Sequence, residues 1–523
     1  MSIWHGVLFA GLGLEAVLCT TNTIWLFESK FFRWIVVLLC IGLLGSGTIG
    51  LIVNHWQLWL LPGIVVGYKI INLYRIIDWR LHRNHLRQQT ASAFGWLLGI
   101  QLVLFGALLM LQRTGFEKSM LYVAFIQLVV GLFLFRSTIR TWHHMQVPAE
   151  LPGIANSALP SLSVLIPARN ETEVLFAALT SLVASDYPKL EIIVLDDCST
   201  NRRTAEVIKQ FAHSGVRFIQ GTEPPKGWLA KNYAYERLRQ EAAGEILLFC
   251  CADTVFSPYT LRHLVEVLQF KKRVMISVLP ERDSNALRSI NVLQAMRYYW
   301  ELALPRRLFK RPPVLSSAWL IQKTALETYG GFGSVANSVS PEASFARKAV
   351  VSDAYSFIRS DGGLGLLTQK STDEQFATSL RIRYPQLHKR IELVCLTTVF
   401  EALFLILPFV LLVISIVSGQ SWLCVVGFGL ASLTIIGTYY VASVLTRLSE
   451  PVVGVLSTVV GFVMDIVVLH VSMWRYEFGT VIWKDRNICL PVMHVVARSN
   501  QEKSKSIRWF NAISSPMNCP YWG

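Results

Sequence analysis

The sequence predicts an α/β nucleotide-binding domain inserted between two groups of transmembrane α-helices. Of its 523 residues, 53% are hydrophobic and 16% are charged, and the mean hydropathy is +0.43, which is too apolar for a soluble protein of this size. Between about Ser161 and Arg390, however, strand-like runs alternate with amphipathic helical stretches, which is the order of an α/β fold. Together these observations indicate an integral membrane protein with one sizeable α/β domain.

Eight stretches are apolar over about 20 residues, the length that a helix needs to cross a bilayer. Five precede the α/β region and form an expected N-terminal membrane region over residues 1–145. Three follow it, so that two or three helices are expected between 391 and 475, before a basic tail over 476–523. The stretches are Trp4–Phe27, Phe32–Val53, Trp56–Ile77, Phe94–Leu111, Leu121–Ile139, Leu396–Val417, Trp422–Leu445 and Val452–Met473.

The formal net charge of +15 does not indicate a nucleic-acid partner, because the basic residues lie in short loops beside apolar stretches rather than on one face. Lys30 and Arg33 follow the first stretch, and Arg80, Arg83 and Arg87 follow the third, whereas Asn54–Gln57 after the second contains no Lys or Arg. By the positive-inside rule, the first and third connections are cytoplasmic. Five crossings then place the α/β domain, residues 155–390, in the cytoplasm, and we expect the plasma membrane of a bacterium.

The C-terminal topology stays open on sequence grounds. Arg447 makes the loop before the last apolar stretch basic, and the tail with Lys484 and Arg486 is basic as well. Both segments cannot be cytoplasmic if Val452–Met473 crosses the bilayer completely. One of the three C-terminal stretches is therefore expected to lie in the interface or to re-enter, and Asp465 makes the last one a candidate.

A strand–helix–strand unit opens the α/β domain. The runs Leu162–Glu171 (LSVLIPARNE) and Glu191–Thr200 (EIIVLDDCST) begin as apolar strands and end in polar residues. Between them, Val174–Ser185 has its apolar residues at helical spacing, which predicts a parallel strand pair. Ligands of open parallel sheets bind where the strands end, so the site is expected at Ala168–Glu171 and Asp196–Thr200.

Three aspartates at predicted strand ends are candidates for binding a nucleotide or a cation. Asp196 and Asp197 close the second strand, where a carboxylate can accept hydrogen bonds from a base or ribose or share a divalent cation. Alternatively they only cap the following helix, as Ser199 also can. Asp253 ends the run EILLFCCAD, where it can hold Mg²⁺ or Mn²⁺ against a diphosphate. The nine cysteines include no CxxC pair, so no zinc site is expected.

Together these motifs resemble the family 2 glycosyltransferases, inverting enzymes of the GT-A fold that transfer a sugar from a nucleotide diphosphate. The resemblance covers about Leu121–Pro491. PARNE is similar to the first-strand motif of the family, DDCST to its DDxST motif, and CAD at Cys251–Asp253 stands in the place of its metal-binding DxD. PKGWLAKNYA at Pro225–Ala234, the segment Ser316–Phe332 that ends in GGF, and TVIWKDRN at Thr480–Asn487 resemble segments of lipid-directed members, such as the ceramide glucosyltransferase-like and carotenoid- or hopanoid-associated enzymes.

The resemblance implies a donor-binding site drawn from several motifs. Its expected members lie at the strand ends, in the GWLAK segment and in TSLRIRYPQL, which matches the family's segment before the membrane returns: Pro167, Arg169, Glu171, Asp196, Asp197, Lys231, Asp253, Arg381 and Arg383. Asp253 is also the expected ligand of Mg²⁺ or Mn²⁺. Lys231 and Arg169 can neutralise diphosphate charge; alternatively, they are ordinary solvated cations.

The resemblance also implies an acceptor side and a catalytic base. Trp228, Gly331 and Phe332 are expected on the acceptor side, where Trp228 can stack on a sugar face or enter an acceptor channel, or simply lie at the interface. The family's base is an Asp after GGF, and Glu342 in SVSPEASFARKA stands in its place. Glutamate can take the proton from the attacking hydroxyl; alternatively, it only complements a helix dipole. Asp353 is a weaker candidate for the base.

The resemblance implies a membrane-bound inverting glycosyltransferase that moves one hexose from a nucleotide-diphosphate sugar to a lipid-borne acceptor at the cytoplasmic face. The QxxRW motif of processive polysaccharide synthases is not found at TSLRIRYPQL, which favours single addition. Two alternatives stay open: transfer to a polyprenyl phosphate for surface glycan assembly, and a catalytically degenerate binding protein, because CAD, GWLAK and SPE depart from the family motifs. The expected partners are a UDP-sugar, a lipid acceptor and the membrane, without nucleic acid; no oligomeric state is predicted.

Overall fold

The computed structural model of the protein describes residues 116–489, apart from 148–150, 283–291, 305–311, 370–371, 390, 446–455 and 478–479, together with a few helical positions between 38 and 53. The chain divides into two compact units, Met1–Gly99 with Pro491–Gly523 and Ile100–Leu490. All helices and strands between Phe116 and Asn487 belong to the second unit. Outside the described residues lie the predicted spans Trp4–Phe27, Trp56–Ile77 and Phe94–Leu111, most of Phe32–Val53, and the tail after 489.

Helices and strands alternate in the α/β order that the sequence predicts, and longer helices lie before and after them. The helices are α1 Phe116–Met145, α2 Glu173–Val183, α3 Arg202–Gln210, α4 Ala230–Glu241, α5 Thr260–Phe270, α6 Val292–Ala303, α7 Lys323–Thr328, α8 Pro341–Val351, α9 Thr372–Gln386, α10 Ile391–Phe400, α11 Leu407–Val417, α12 Trp422–Leu445 and α13 Thr458–Glu477. The strands are β1 Leu162–Ala168, β2 Leu190–Asp196, β3 Val216–Gln220, β4 Ile246–Cys250, β5 Thr254–Phe256, β6 Met275–Leu279, β7 Glu281–Arg282, β8 Ala318–Gln322, β9 Tyr355–Arg359, β10 Leu366–Thr368, β11 Ile482–Trp483 and β12 Arg486–Asn487. A π-helical segment, Glu401–Ile406, joins α10 to α11.

A seven-stranded mixed sheet forms the centre of the domain, in the order β3-β2-β1-β4-β8-β6-β9. β1 is parallel to both β2 and β4, in a register that pairs Pro167 with Leu195 and Ala168 with Asp196. β8 is antiparallel to both of its neighbours. The predicted strand–helix–strand unit is confirmed, and because β1, β2 and β4 are parallel neighbours, their carboxyl ends lie side by side, where such sheets bind ligands.

Two smaller sheets complete the strand arrangement. β5, β10 and β7 form a three-stranded sheet beyond the end of β4. β11 and β12 form a short antiparallel hairpin after the last helix, with Ile482 opposite Asn487 and Trp483 opposite Arg486. This hairpin contains the WKDRN sequence, from Trp483 to Asn487.

Alternate residues of the strands fill two cores, one on each face of the sheet. On one face, Val164 of β1 shares a core with Leu175 of α2. On the other, Leu165 belongs to a core that continues into the long apolar helices through Tyr439 and Phe462. The α/β domain and these helices are therefore packed as one body.

Four of the described helices are long and apolar enough to cross a membrane: Lys118–Met145, Leu396–Val417, Trp422–Leu445 and Thr458–Tyr476. They coincide with the last four predicted stretches, except that the first is longer and the described part of the last begins at Thr458. Large apolar side chains on them are more than half exposed, among them Phe125, Val413 and Leu433. An exposed apolar surface of this extent is typical of a membrane interaction, so these helices indicate an integral membrane protein.

Candidate active site

The loops after β1 and β2 form one polar edge, joined by the side chain of Asn170. Its Oδ1 accepts hydrogen bonds from the backbone N–H groups of Thr200 at 2.9 Å and Asn201 at 3.1 Å. Asn170 has a φ of 53°, a conformation that asparagine tolerates better than most residues. We call the segments Ala168–Glu171 and Asp196–Thr200 the donor edge.

Asp196 serves the fold of the donor edge. Its Oδ1 accepts hydrogen bonds from the backbone N–H of Ser199 at 3.1 Å and from the Ser199 hydroxyl, and only 4% of the residue is exposed. The cap of the following helix is Asn201, whose side chain accepts from the N–H of Arg203 at 3.0 Å. Capping therefore does not need either aspartate, and donor binding by Asp196 stays a prediction.

Asp197 is held by an arginine from the far end of the chain. Nη1 of Arg486 lies 2.7 Å from Oδ1 and 2.8 Å from Oδ2 of Asp197, and Nη2 lies 2.9 Å from Oε1 of Glu223. Burial raises the pKa of Asp197, and the hydrogen bonds and charge of Arg486 act against this rise. Sequence reasoning does not identify Arg486 as a site residue; its only signal is its place in the WKDRN motif.

Arg169 and Glu171 of the donor edge are engaged by protein groups. Arg169 donates from Nη1 to the carbonyl oxygen of Asp197 at 2.7 Å and from Nε to that of Lys484 at 2.9 Å. Glu171 forms an ion pair with the Lys484 ammonium group. Pro167 lies inside β1, directly before the edge. The contacts of all three predicted residues with a sugar donor stay predictions.

Asp253 follows β4, whose strand pairs with β1. Within the part of the chain that the structure describes, no group of three His, Cys, Asp or Glu side chains is arranged to hold a metal ion. One carboxylate nevertheless fits Mg²⁺ or Mn²⁺, because Mg²⁺ is usually bound by one or two carboxylates together with substrate phosphates and water. The role of Asp253 as the metal ligand stays a prediction on that basis.

Glu342 lies in the first turn of α8, directly after Pro341. Only 4% of the residue is exposed, and among the described residues its Oε2 has no hydrogen-bond partner. Burial raises the pKa of Glu342, the positive charge of Lys231 opposes the rise, and Glu301 adds to it. A buried carboxyl with a raised pKa is suited to accept a proton near neutral pH.

The hydroxyl of Tyr235 belongs to the same group of side chains. Tyr235 is fully buried, and its Oη also lacks a hydrogen-bond partner within the described ranges. Burial raises its pKa strongly, and the acidic groups of Cys251, Glu342, Cys250 and Asp253 raise it further. Nζ of Lys231 is 5.2 Å from the Tyr235 ring centroid. We call Lys231, Tyr235, Asp253 and Glu342 the reaction cluster; sequence reasoning does not single out Tyr235.

The three predicted acceptor-side residues lie close to α4. Trp228, just before this helix, packs edge-on against Tyr233 with ring centroids 5.8 Å apart. Gly331 has a φ of 57°, which favours glycine. Phe332 is fully buried, and its ring lies 5.3 Å from that of Tyr235. Phe332 thus supports the Tyr235 ring in the core, and contact of these residues with an acceptor stays a prediction.

Arg381 and Arg383 lie on α9, beside the apolar helices. The guanidinium of Arg383 pairs with Asp465 of α13, with Nε 3.0 Å from Oδ1, and with Glu401 of the π-helical segment at 3.3 Å. The guanidinium of Arg381 lies 4.7 Å from the ring centroid of Trp483. Arg383 thereby joins α9 to two of the long helices, and the predicted diphosphate contact of both arginines stays a prediction.

Parts of the chain are similar in sequence to a known protein family and to individual proteins. Residues 163–330 match the family model described as glycosyl transferase family 2. The chain is 27% identical to the probable glycosyltransferase YdaM of Bacillus subtilis (strain 168) over 223 residues, which are 40% of this chain and 52% of that protein. It is 38% identical to 4,4'-diaponeurosporenoate glycosyltransferase of Staphylococcus haemolyticus over 95 residues, which are 18% of this chain and 24% of that protein. The chain thus matches about half the length of the first relative and less of the second.

Among solved structures, the chain is similar to the mannosyltransferase PcManGT from Pyrobaculum calidifontis in complex with GDP-Man and Mn²⁺, with 17% sequence identity and a TM-score of 0.41 over 65% of this chain and 99% of that chain. The family match within 163–330 agrees with the mixed sheet and with the polar loops at its strand ends. The predicted fold class is confirmed: an α/β domain of the GT-A type, within which residues 163–330 match the glycosyl transferase family 2 model, is flanked on both sides by long apolar helices.

Proposed function

We propose that the protein is an inverting glycosyltransferase that moves a single hexose from a nucleotide-diphosphate sugar to a lipid-borne acceptor at the membrane face. The observation that carries this proposal is the buried Glu342, whose Oε2 has no hydrogen-bond partner among the described residues. Its neighbours in the reaction cluster, Lys231 and Asp253, are the kinds of group that a diphosphate or its cation binds. A family 2 domain supplies the sugar-nucleotide chemistry to which such a base belongs.

Glu342 supplies the base that an inverting transfer needs. Its carboxylate accepts the proton of the acceptor hydroxyl while the hydroxyl oxygen forms a bond to the anomeric carbon. The bond from that carbon to the diphosphate oxygen breaks, and its electron pair leaves with the nucleoside diphosphate. Because burial raises the pKa of Glu342, the carboxylate is a stronger base than an exposed glutamate and holds the transferred proton more firmly.

The leaving diphosphate carries negative charge that the site has to neutralise. Lys231 belongs to the reaction cluster and can stabilise this charge directly. Asp253 would hold Mg²⁺ or Mn²⁺ against the diphosphate, where the ion supplies further neutralisation. Asp197 of the donor edge can accept hydrogen bonds from the base or ribose, and UDP-sugars are the donors to test first.

A lipid acceptor is favoured by the packing of the domain. One core of the sheet, which includes Tyr235, continues into the long apolar helices, and this supports a position of the reaction cluster near the membrane surface. An acceptor headgroup can then reach Glu342 without leaving the bilayer. The name of one relative, 4,4'-diaponeurosporenoate glycosyltransferase, supports an acceptor of this kind.

We further propose that α13 does not cross the membrane completely. Three long apolar helices lie between the domain and the β11–β12 hairpin, and three complete crossings would place the hairpin on the side opposite to the domain. Arg486 of the hairpin nevertheless binds Asp197. α13 also carries Asp465, which pairs with Arg383 of α9. Helix α13 is therefore the helix that best fits an interfacial or re-entrant position. The sequence alone had left open which of the three C-terminal stretches takes this position.

The function is tested with purified full-length protein, a panel of radiolabelled nucleotide sugars and a lipid extract. We expect one donor to label the lipid fraction, and the Glu342→Gln variant to lose this labelling. Release of the label by mild acid would identify a polyprenyl phosphosugar product instead, because lipid glycosides resist this treatment. Nucleotide binding without transfer from any donor, beside a working control enzyme, would indicate the degenerate binding protein.

A further inference from the structure

The hairpin of β11 and β12 lies against the donor edge, although it follows the last apolar helix. We infer that this hairpin is one wall of the nucleotide site and that Arg486 is a positioning residue, which orients the Asp197 carboxylate toward the base or ribose of a nucleoside diphosphate. The inference rests on the proposed function, because it takes the donor edge to be the nucleotide site. It adds a role for residues that are distant in the chain, because Arg486 lies 289 positions from Asp197 and Lys484 lies 315 positions from Arg169.

The tip of the hairpin is fixed to the loop after β1 by contacts to consecutive residues. Nζ of Lys484 pairs with Glu171 and donates to the carbonyl oxygen of Arg169 at 3.0 Å. Asp485 accepts a hydrogen bond from the side-chain amide of Asn170 at 3.1 Å. Lys484 and Asp485 have φ values of 49° and 63°, as both central residues of a tight hairpin turn require. The tip is therefore held in one register against the edge.

Arg486 contacts both carboxylate oxygens of Asp197 through one nitrogen atom. Its Nη1 contacts both carboxylate oxygens, at 2.7 and 2.8 Å, and Nη2 is anchored 2.9 Å from Glu223. An ionised carboxylate offers about four lone-pair positions, so the remaining ones can accept N–H or O–H groups of a nucleotide. The arrangement fixes the direction of the carboxylate before the ligand binds, which lowers the entropic cost of binding.

The charge of Arg486 also matters, because Asp197 is buried with a side-chain exposure of 8%. The groups that face Asp197 are Arg486 and Arg169, which lower its pKa, and Glu223, which raises it, while burial raises it most. The neighbouring Cys198 thiol has a pKa raised chiefly by its own burial. Without Arg486 the carboxyl would protonate at a higher pH and lose acceptor positions.

The sheet contains a matched arginine that serves as a control. Arg217 also joins two carboxylates, with Glu191 at 2.6 Å and Glu241 at 3.1 Å. It lies near the beginning of β3, at the end of the sheet opposite to the donor edge. A general effect of removing an arginine that bridges two carboxylates should therefore appear equally in Arg217→Gln and Arg486→Gln.

The experiment measures the binding of UDP, GDP and TDP to full-length protein in nanodiscs between pH 5 and 8, with folding checked by thermal unfolding. We expect the nucleotide that binds best to bind Arg486→Gln roughly 10- to 100-fold more weakly. The pH at which binding is half lost should move upward in Arg486→Gln, because the Asp197 carboxyl protonates earlier. Arg486→Lys should recover part of the nucleotide affinity and part of the shift in the pH profile. Arg217→Gln should have the affinity and the pH profile of the wild type.

Asp197→Asn separates positioning from general stability. In that background no carboxyl titrates at this position, so adding Arg486→Gln should no longer move the pH profile. Unchanged affinity and an unchanged pH profile in folded Arg486→Gln would overturn the inference while leaving the proposed function intact. Tighter nucleotide binding by Arg486→Gln would also overturn the inference alone, because it would mean that the hairpin competes with the nucleotide. If Arg486→Gln does not fold, wild-type behaviour of Arg486→Lys together with an unshifted pH profile overturns it. Failure of the wild type to bind any of these nucleotides would overturn both.

Discussion

The donor edge and the reaction cluster differ in the hydrogen bonding of their buried polar groups. At the donor edge, Asp196 accepts hydrogen bonds from Ser199, and both oxygens of Asp197 contact Arg486. In the reaction cluster, Oε2 of Glu342 and Oη of Tyr235 have no hydrogen-bond partner among the described residues. The first arrangement is prepared before a ligand binds, whereas the second leaves polar groups available to one.

This difference in hydrogen bonding affects the stability of the folded protein. A buried polar atom without a partner costs about 1–3 kcal/mol, so few are retained unless they serve a function. The satisfied carboxylates of the donor edge should contribute to stability and to binding. The buried carboxyl of Glu342 in the reaction cluster should instead cost stability and contribute to the reaction, and substitutions in the two regions test this contrast.

Glu342→Gln should lower the rate of sugar transfer by about 10²- to 10⁴-fold, because the amide cannot accept the proton. Nucleotide binding should be unchanged, since the donor edge is untouched. Initial rates with labelled donor and equilibrium UDP binding provide the two measurements. Glu327→Gln is the control, because Glu327 is half exposed and pairs with Arg239 at 3.4 Å. Wild-type rates in Glu342→Gln would remove this residue from the role of base.

Arg383→Met should destabilise the protein by about 3–5 kcal/mol, because it leaves Asp465 and Glu401 buried without their cation. The unfolding of detergent-solubilised protein measures this loss. Arg217→Met should cost less than about 1 kcal/mol, since its ion pairs are largely solvated. Equal losses of stability in the two variants would show that the buried ion pairs of Arg383 contribute no more than the exposed ion pairs of Arg217. Adding Asp465→Asn to Arg383→Met should recover part of the stability.

Tyr235→Phe should leave stability unchanged or raise it by about 1 kcal/mol, because it removes a buried hydroxyl that has no partner among the described residues. Tyr187→Phe is the matched control, since the buried Tyr187 hydroxyl donates to the carbonyl oxygen of Pro160 at 2.6 Å. That variant should lose about 1 kcal/mol. Thermal unfolding curves of both proteins give the comparison, and a clear loss in Tyr235→Phe would reveal a partner for the hydroxyl.

The smallest effect concerns the pH dependence of stability. The pKa of Glu342 is raised in the folded state by burial, so ionising it costs folding free energy at neutral pH. Glu342→Gln should therefore be more stable than the wild type near pH 7.5, and this gain should vanish as the pH falls below the unfolded value of about 4.3. Thermal unfolding at both pH values checks the prediction.

Glu191 provides a control of opposite sign. Burial raises its pKa, but hydrogen bonds from Ser163, the Ala243 N–H and Arg217 outweigh burial and leave the pKa lowered. Its ionised form therefore stabilises the fold above the unfolded pKa, and this contribution is lost as the pH falls through the folded pKa. Glu191→Gln should be less stable than the wild type at neutral pH. A loss in both glutamine variants would contradict the assigned sign for Glu342.

Much of the fold was predictable because it depends on local patterns. Apolar residues at alternating and helical spacing define β1, α2 and β2, and apolar length defines the described long helices. Glu342 was predicted as the base because counting back from Ala346 and Arg347 puts it where the resembled family has its aspartate, and this role stays a prediction. Tyr235 was not found, because a tyrosine on a helix has no local mark that distinguishes a core residue from a site residue.

Periodicity and short motifs in the sequence were enough to predict the class of the domain, the order of its elements and the polar ends of β1, β2 and β4. The contacts between distant groups became known only from the folded structure. It brought Arg486 to Asp197 and Arg383 to Asp465. Such contacts depend on how helices and sheet pack in three dimensions, and no local pattern in the chain records the partner of a buried charge.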